Sequence, residues 1–111
     1  MRSEEKKAAV AAYKERKTAA GIYLLRCEPS GQRWVGRATD LGSIENRLRF
    51  TLRHRSHTHR GLQAAWDAHG PEAFRLEELE RLDEESLAYV RDRLLKERLG
   101  HWLAKLGAEA I

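Results

Sequence analysis

Two stretches of strand-forming residues separated by a turn commit this chain to an antiparallel hairpin. Gly21–Cys27 reads Gly-Ile-Tyr-Leu-Leu-Arg-Cys, and Gln32–Ala38 reads Gln-Arg-Trp-Val-Gly-Arg-Ala. β-branched and aromatic side chains suit a pleated, half-buried surface. Between them lies Glu28-Pro29-Ser30-Gly31. Proline second and glycine fourth predict a type I turn. If Cys27 pairs with Gln32, Tyr23 falls opposite Gly36 and Leu25 opposite Trp34. Strand alternation then puts Tyr23, Leu25, Trp34 and Gly36 on one face. Tyr23 would stand over a residue with no side chain. Two readings of that pairing stay open: a phenol given room to meet a ligand, or a half-buried tyrosine covering a glycine.

Helical spacing accounts for most of the rest. Ser3–Lys17, with Ala8, Ala9, Ala11 and Ala12, reads as a lightly packed helix. Ser43–Arg55 reads as a second, with Ser43 as N-cap and Ile44, Leu48, Thr51 and Leu52 on one stripe. Gly61–His69 repeats the pattern with Leu62, Ala65, Trp66 and His69, and Gly70-Pro71 ends it. Phe74–Leu79 reads as a third strand, weakened by Glu77-Glu78. From Asp83, its cap, to about Leu106 runs a long helix with apolar Leu87, Val90, Leu94, Leu95, Leu99, Trp102 and Leu106, and a kink allowed at Gly100. The order α-β-β-α-α-β-α implies an α+β domain: a small three-stranded antiparallel sheet flanked by helices. Residues 20–106 form the expected domain, with 1–19 as a helical extension and 107–111 as a tail.

Bulk properties narrow the class. At 111 residues there is room for one core. The single cysteine, Cys27, excludes an intrachain disulfide. The start of the chain has no apolar stretch of signal-peptide length, and no run approaches a membrane span. A cytoplasmic protein without membrane contact is expected. The net charge of +4 is concentrated in Ile44–Arg60, where Arg47, Arg49, Arg53, Arg55 and Arg60 face one acid, Glu45. Glu72–Asp92 is the acidic counterpart, with eight acids and three arginines. Such segments are either an anion-facing surface and an acidic surface, or ordinary solvated helix faces.

Arg47 lies at the edge of the apolar stripe beside Phe50, with Arg49 and Arg53 on the opposite side. A boundary arginine either presents its fork to phosphate or caps the core. Glu97 follows Leu94 by three residues and Val90 by seven, near the expected buried stripe. A carboxylate there would suit a hard divalent cation, or would be an exposed glutamate of a charged helix. His57-Thr58-His59 lacks the accompanying ligands of a zinc site. No phosphate-cradling glycine loop or nucleophile elbow is present.

The ordered set resembles the GIY-YIG endonuclease superfamily. Gly21-Ile22-Tyr23 matches its first motif. Trp34-Val35-Gly36 stands at the second, with tryptophan replacing tyrosine. Asp40-Leu41 and Asn46-Arg47 match its arginine helix. His57, Leu62-Gln63-Ala64-Ala65-Trp66, His69-Gly70 and Phe74 match the following stretch, and Glu97 stands near the place of its metal-binding glutamate. The resemblance covers roughly residues 20–106 and implies a metal-dependent phosphodiesterase. Tyr23 would act as general base or orient the water, Arg47 would stabilise phosphoryl charge, and His57 would assist the tyrosine or a phosphate oxygen. Glu97 would hold one Mg²⁺ or Mn²⁺. With Trp34 at the second motif, the implied catalytic set is Tyr23, Trp34, Arg47, His57 and Glu97. Arg37, Arg49, Arg53, Arg55 and Arg60 are the expected nucleic-acid contacts, to DNA rather than RNA, with little intrinsic sequence specificity. Because an indole has no hydroxyl, the alternatives are a nucleic-acid-binding module that has lost cleavage, and a protein-interaction domain using the acidic stretch.

Overall fold

β1 (Gly21–Cys27) is the axis around which everything else is arranged. A computed structural model describes residues 19–82 and 87–111. The expected N-terminal helix and the helix cap at Asp83 lie outside the described residues. β2 (Arg33–Ala38) and β3 (Phe74–Arg81) flank β1, both antiparallel to it. The hairpin register is the expected one, with Tyr23 opposite Gly36 and Leu25 opposite Trp34. The turn is one residue wider than a type I turn. The Gly31 N–H donates to the Cys27 carbonyl at 2.9 Å, and Gly31 takes a φ of 75°, which glycine adopts without a steric penalty.

The sheet has a strand that the pattern did not predict. β4 (Glu109–Ala110) adds in parallel to β2, giving the order β3-β1-β2-β4. Two residues are too short to carry a period. Their pairing depends on Gly107, whose left-handed φ of 63° turns the chain back after the last helix. The expected three-stranded sheet is thus four-stranded, and the expected tail packs Ile111 against the core.

α1 (Leu41–Arg53) begins earlier than expected because Asp40, not Ser43, caps it. The Asp40 carboxylate accepts from the Gly42 N–H and from the Ser43 hydroxyl, both at 2.9 Å. α2 (Arg60–His69) is capped by His59, whose Nδ1 accepts from the Leu62 N–H at 3.1 Å. α3 (Ala88–Leu106) continues unbroken through Gly100.

The sheet divides the core in two. On one face Tyr23, Leu25, Cys27, Trp34 and Phe74 pack against α1 and α2 through Leu41, Ile44, Leu48, Leu52, Leu62, Ala65 and Trp66. On the other, Ile22, Leu24 and Val35 pack against α3 through Leu95, Leu99, Trp102, Leu103 and Leu106. Each fully buried aliphatic chain contributes about 1.5–3 kcal/mol. Leu87, Leu94 and His69, expected inside, are exposed. The buried stripe of α3 is set by Leu95, Leu99, Trp102 and Leu106, a phase away from the expected Val90–Leu94–Glu97 line. No described helix is long and apolar enough to cross a membrane.

Candidate nucleic-acid site

The hairpin builds the site's floor. Tyr23 is only 3% exposed and lies across Gly36. A Cβ added at Gly36 would fall 2.3 Å from the Tyr23 hydroxyl and 2.4 Å from its Cζ, so no other residue fits beneath that ring. Gly21 is needed for a different reason. A Cβ there would lie 2.1 Å from the Glu80 carbonyl oxygen and 2.7 Å from Leu41 Cδ1, so glycine lets β3 and α1 close on β1. The two glycines of the hairpin motifs therefore serve two contacts, one with side chain and one with backbone.

Arg47 is the charged neighbour of the phenol. Burial pushes the Tyr23 hydroxyl up to about 12, and the Arg47 guanidinium acts against that rise without cancelling it. Arg47 is exposed and has no ion pair among the described residues. Arg49, expected to point away from the core, folds over Trp66 with its guanidinium 5.9 Å from the ring centroid. Its nitrogens donate to Glu45 Oε2 and to the carbonyls of Pro71 and Phe74, each at 3.0 Å. Those carbonyls lie where α2 gives way to β3, so Arg49 is committed to holding α1 on that junction. A solvent-facing phosphate contact by Arg49 is corrected on this ground.

The other expected arginines separate. Arg53 and Arg60 are exposed and unpaired among the described residues. Arg55 stands 4.0 Å from Asp67 and holds a left-handed φ of 56° at the end of α1. Its N–H donates to Leu52 and that of Ser56 to Thr51, closing the helix in a Schellman arrangement usually given to glycine. Arg37 pairs with Ile22 and therefore lies on the α3 face, across the sheet from Tyr23.

His57 sits half-buried in the loop before α2. Its Nδ1 accepts the His59 N–H at 3.0 Å. A ring nitrogen that accepts carries no proton, so the neutral imidazole keeps its proton on Nε2. Burial, and next the charge of His59, lower the His57 pKa and favour that neutral form. His59 Nε2 lies 3.4 Å from Glu109 Oε2 on β4.

Trp34 is a core residue, 1% exposed, its ring 6.1 Å from that of Phe74. Glu97 is exposed on α3. At about 100° per residue it faces away from Leu95, Leu99 and Trp102, and α3 itself covers the sheet face opposite Tyr23. The expectation of a carboxylate at the buried boundary is corrected, because the true stripe runs through Leu95 rather than Leu94. Sequence reading passed over a different carboxylate, Glu78. It lies opposite Tyr23 on β3 and shares its face, with Arg81 donating to it at 3.0 Å. Its position depends on a bulge between Ile22 and Tyr23 that shifts the β1–β3 register, and no sequence period signals that bulge.

The same arrangement of sheet and helices occurs in solved structures. The catalytic domain of the homing endonuclease I-TevI superposes with a TM-score of 0.69 at 25% identity, covering 83% of this chain and 97% of that one. A mutant of the same catalytic domain, described as an intron endonuclease, gives 0.69 at 26% identity, covering 80% and 84%. The chain is a GIY-YIG-fold protein. No protein-family model and no curated protein matches it. The fold is thus shared with an endonuclease catalytic domain, and the likeness supports a nuclease-like function.

Proposed function

We propose that this chain hydrolyses phosphodiester bonds of DNA, with Tyr23 and Arg47 at the reacting phosphate. The observation that carries this reading is the buried Tyr23 phenol laid across Gly36, with Arg47, unpaired among the described residues, as its charged neighbour. With a pKa of about 12 the phenol is ionised in only about one molecule in 10⁵ at pH 7. Tyr23 therefore acts as a hydrogen-bond donor that orients water or a phosphate oxygen, rather than as a resting base. Arg47 stabilises charge developing on the phosphoryl oxygens, an effect worth about 100-fold or more in rate when one such donor is removed. His57, with its proton on Nε2, is suited to donate to a phosphate oxygen. Arg53 and Arg60 supply salt-sensitive, sequence-independent attraction to the backbone.

The resemblance implies one Mg²⁺ or Mn²⁺, which would supply Lewis-acid assistance to the leaving oxygen. Glu97 does not fit that place, since it faces away from the sheet on the far side from Tyr23. Among the described residues no three His, Cys, Asp or Glu side chains converge on a common point.

A second reading, a binding module that has lost cleavage, is favoured by one observation. Trp34 is sealed in the core and offers no hydroxyl at the second motif. The protein-interaction reading is weakened because Glu77, Glu78 and Glu80 of the acidic stretch are paired with Arg26, Arg81 and Arg98. A nicking assay separates the readings. Supercoiled plasmid is incubated with Mg²⁺, with Mn²⁺ or with chelator, beside Tyr23→Phe, Arg47→Ala and Glu97→Ala. Relaxation lost in the first two variants and kept in the third is the expected result. Salt-sensitive retardation without cutting establishes the binding module.

A further inference from the structure

The flank of α1 that carries Arg47 also carries an aromatic side chain that the core does not use. Phe50 is 58% exposed. It follows Arg47 by three residues and precedes His54 by four, so the three share one side of the helix. The His54 ring lies against that of Phe50 at 4.2 Å between centroids and 32° between planes. The His54 ring is itself held in place. Its Nδ1 meets the Phe50 carbonyl at 2.8 Å, and because that oxygen can only accept, Nδ1 is the donor. One face of Phe50 is thus backed by a fixed imidazole, while most of the ring remains open to solvent. Glu45, the one acid of this segment, is on the other flank with Arg49. The open flank is therefore basic and aromatic, with Arg47 unpaired among the described residues.

We infer that Phe50 is a stacking platform for an unpaired nucleobase on the strand whose phosphate meets Arg47. The inference rests on the proposed function in taking Arg47 as a phosphate contact, and it adds a substrate class: single-stranded or locally unpaired nucleic acid. An exposed aromatic ring next to arginines matches what single-strand binding requires, since every base has a π-face and its backbone carries the charge. A fully paired duplex offers such a ring no face, because its bases already stack on one another. The Phe50–His54 pair presents a preordered surface, so little side-chain freedom is lost on binding.

The test is anisotropy with a fluorescein-labelled oligothymidylate of about 15 nucleotides, and with a duplex of the same length, in low salt without divalent metal. Wild type, Phe50→Ala, Phe50→Trp and Arg47→Ala are compared, after thermal melting has confirmed equal folding. Phe50→Ala is expected to weaken single-strand binding by about 10-fold or more while changing duplex binding by less than about 3-fold. Phe50→Trp is expected to restore it, and Arg47→Ala to weaken both forms. A parallel series with oligouridylate assigns the strand to DNA or RNA, and the Phe50 effect is expected on whichever binds more tightly. Equal single-strand affinity of wild type and Phe50→Ala overturns the stacking role and leaves the phosphate reading intact. Loss of self-association in Phe50→Ala, with oligonucleotide binding unchanged, overturns it in favour of a protein contact. No binding of either nucleic acid by wild type overturns both readings.

Discussion

Arg47 and Arg49 are two residues apart on α1 and do opposite work. Arg49 turns to the flank that meets α2 and β3, where Trp66, Glu45 and two carbonyls occupy its fork. Arg47 turns to the flank where Phe50 and His54 stand in solvent. Both are arginines of one basic segment, yet one closes the fold and the other has no ion pair among the described residues. Formal charge in a sequence therefore counts what could bind phosphate, and packing decides which part of it can.

Four outcomes would sharpen or break that contrast. The largest concerns Tyr23, beneath the open flank. Its folded pKa is raised from 10.0 to about 12, so the stability it confers is complete below pH 10 and is lost as pH climbs through about 12. Relative to Tyr23→Phe, wild type should lose about 3 kcal/mol across that window, measured by denaturant melts at stepped pH. A flat difference would mean that the phenol is not sealed and that the open flank reaches further inward. Next, Arg47→Ala should lower the nicking rate by about 100-fold while moving the denaturation midpoint little. Arg49→Ala should behave in the reverse sense, costing about 2 kcal/mol of stability with activity per folded molecule nearly unchanged. If the two variants were alike in either measurement, the division of the helix into two flanks would fail. Smallest, Arg55→Gly should stabilise the chain by about 1 kcal/mol in the same melts, by relieving its left-handed backbone.

The hairpin's register was legible, though its turn is one residue wider than expected and β2 begins at Arg33 rather than Gln32. Period-two alternation and a proline-glycine turn leave one register that keeps Tyr23 over Gly36 and the aliphatic residues inside, and that register is observed. The arginine helix was legible in kind, though Asp40 outcompeted Ser43 as its cap by accepting the Gly42 N–H. Three things were not legible. Glu109–Ala110 pair by virtue of a turn at Gly107, a tertiary matter that two residues cannot announce. The phase of α3 was ambiguous, since Leu94 and Leu95 are both leucine and either could have faced the sheet. That ambiguity placed Glu97 at a boundary it does not occupy. Finally, Arg49 was expected to meet nucleic acid from the side opposite Arg47, and the carbonyls of Pro71 and Phe74 that occupy it lie 22 and 25 residues further along.

The fit between Tyr23 and Gly36 also constrains the order in which the two positions could change. While tyrosine occupies position 23, every residue but glycine is shut out of position 36, because an added Cβ meets the ring itself rather than a movable tip. Were tyrosine first replaced by something short, position 36 would be released to drift. The two sites are thus ordered in time: the phenol can be abandoned before the glycine, and the glycine cannot be abandoned before the phenol. A lineage that had long ceased to use the tyrosine would be expected to show side chains accumulating at position 36. The glycine of this chain is what the ring above it demands, whatever work the phenol does.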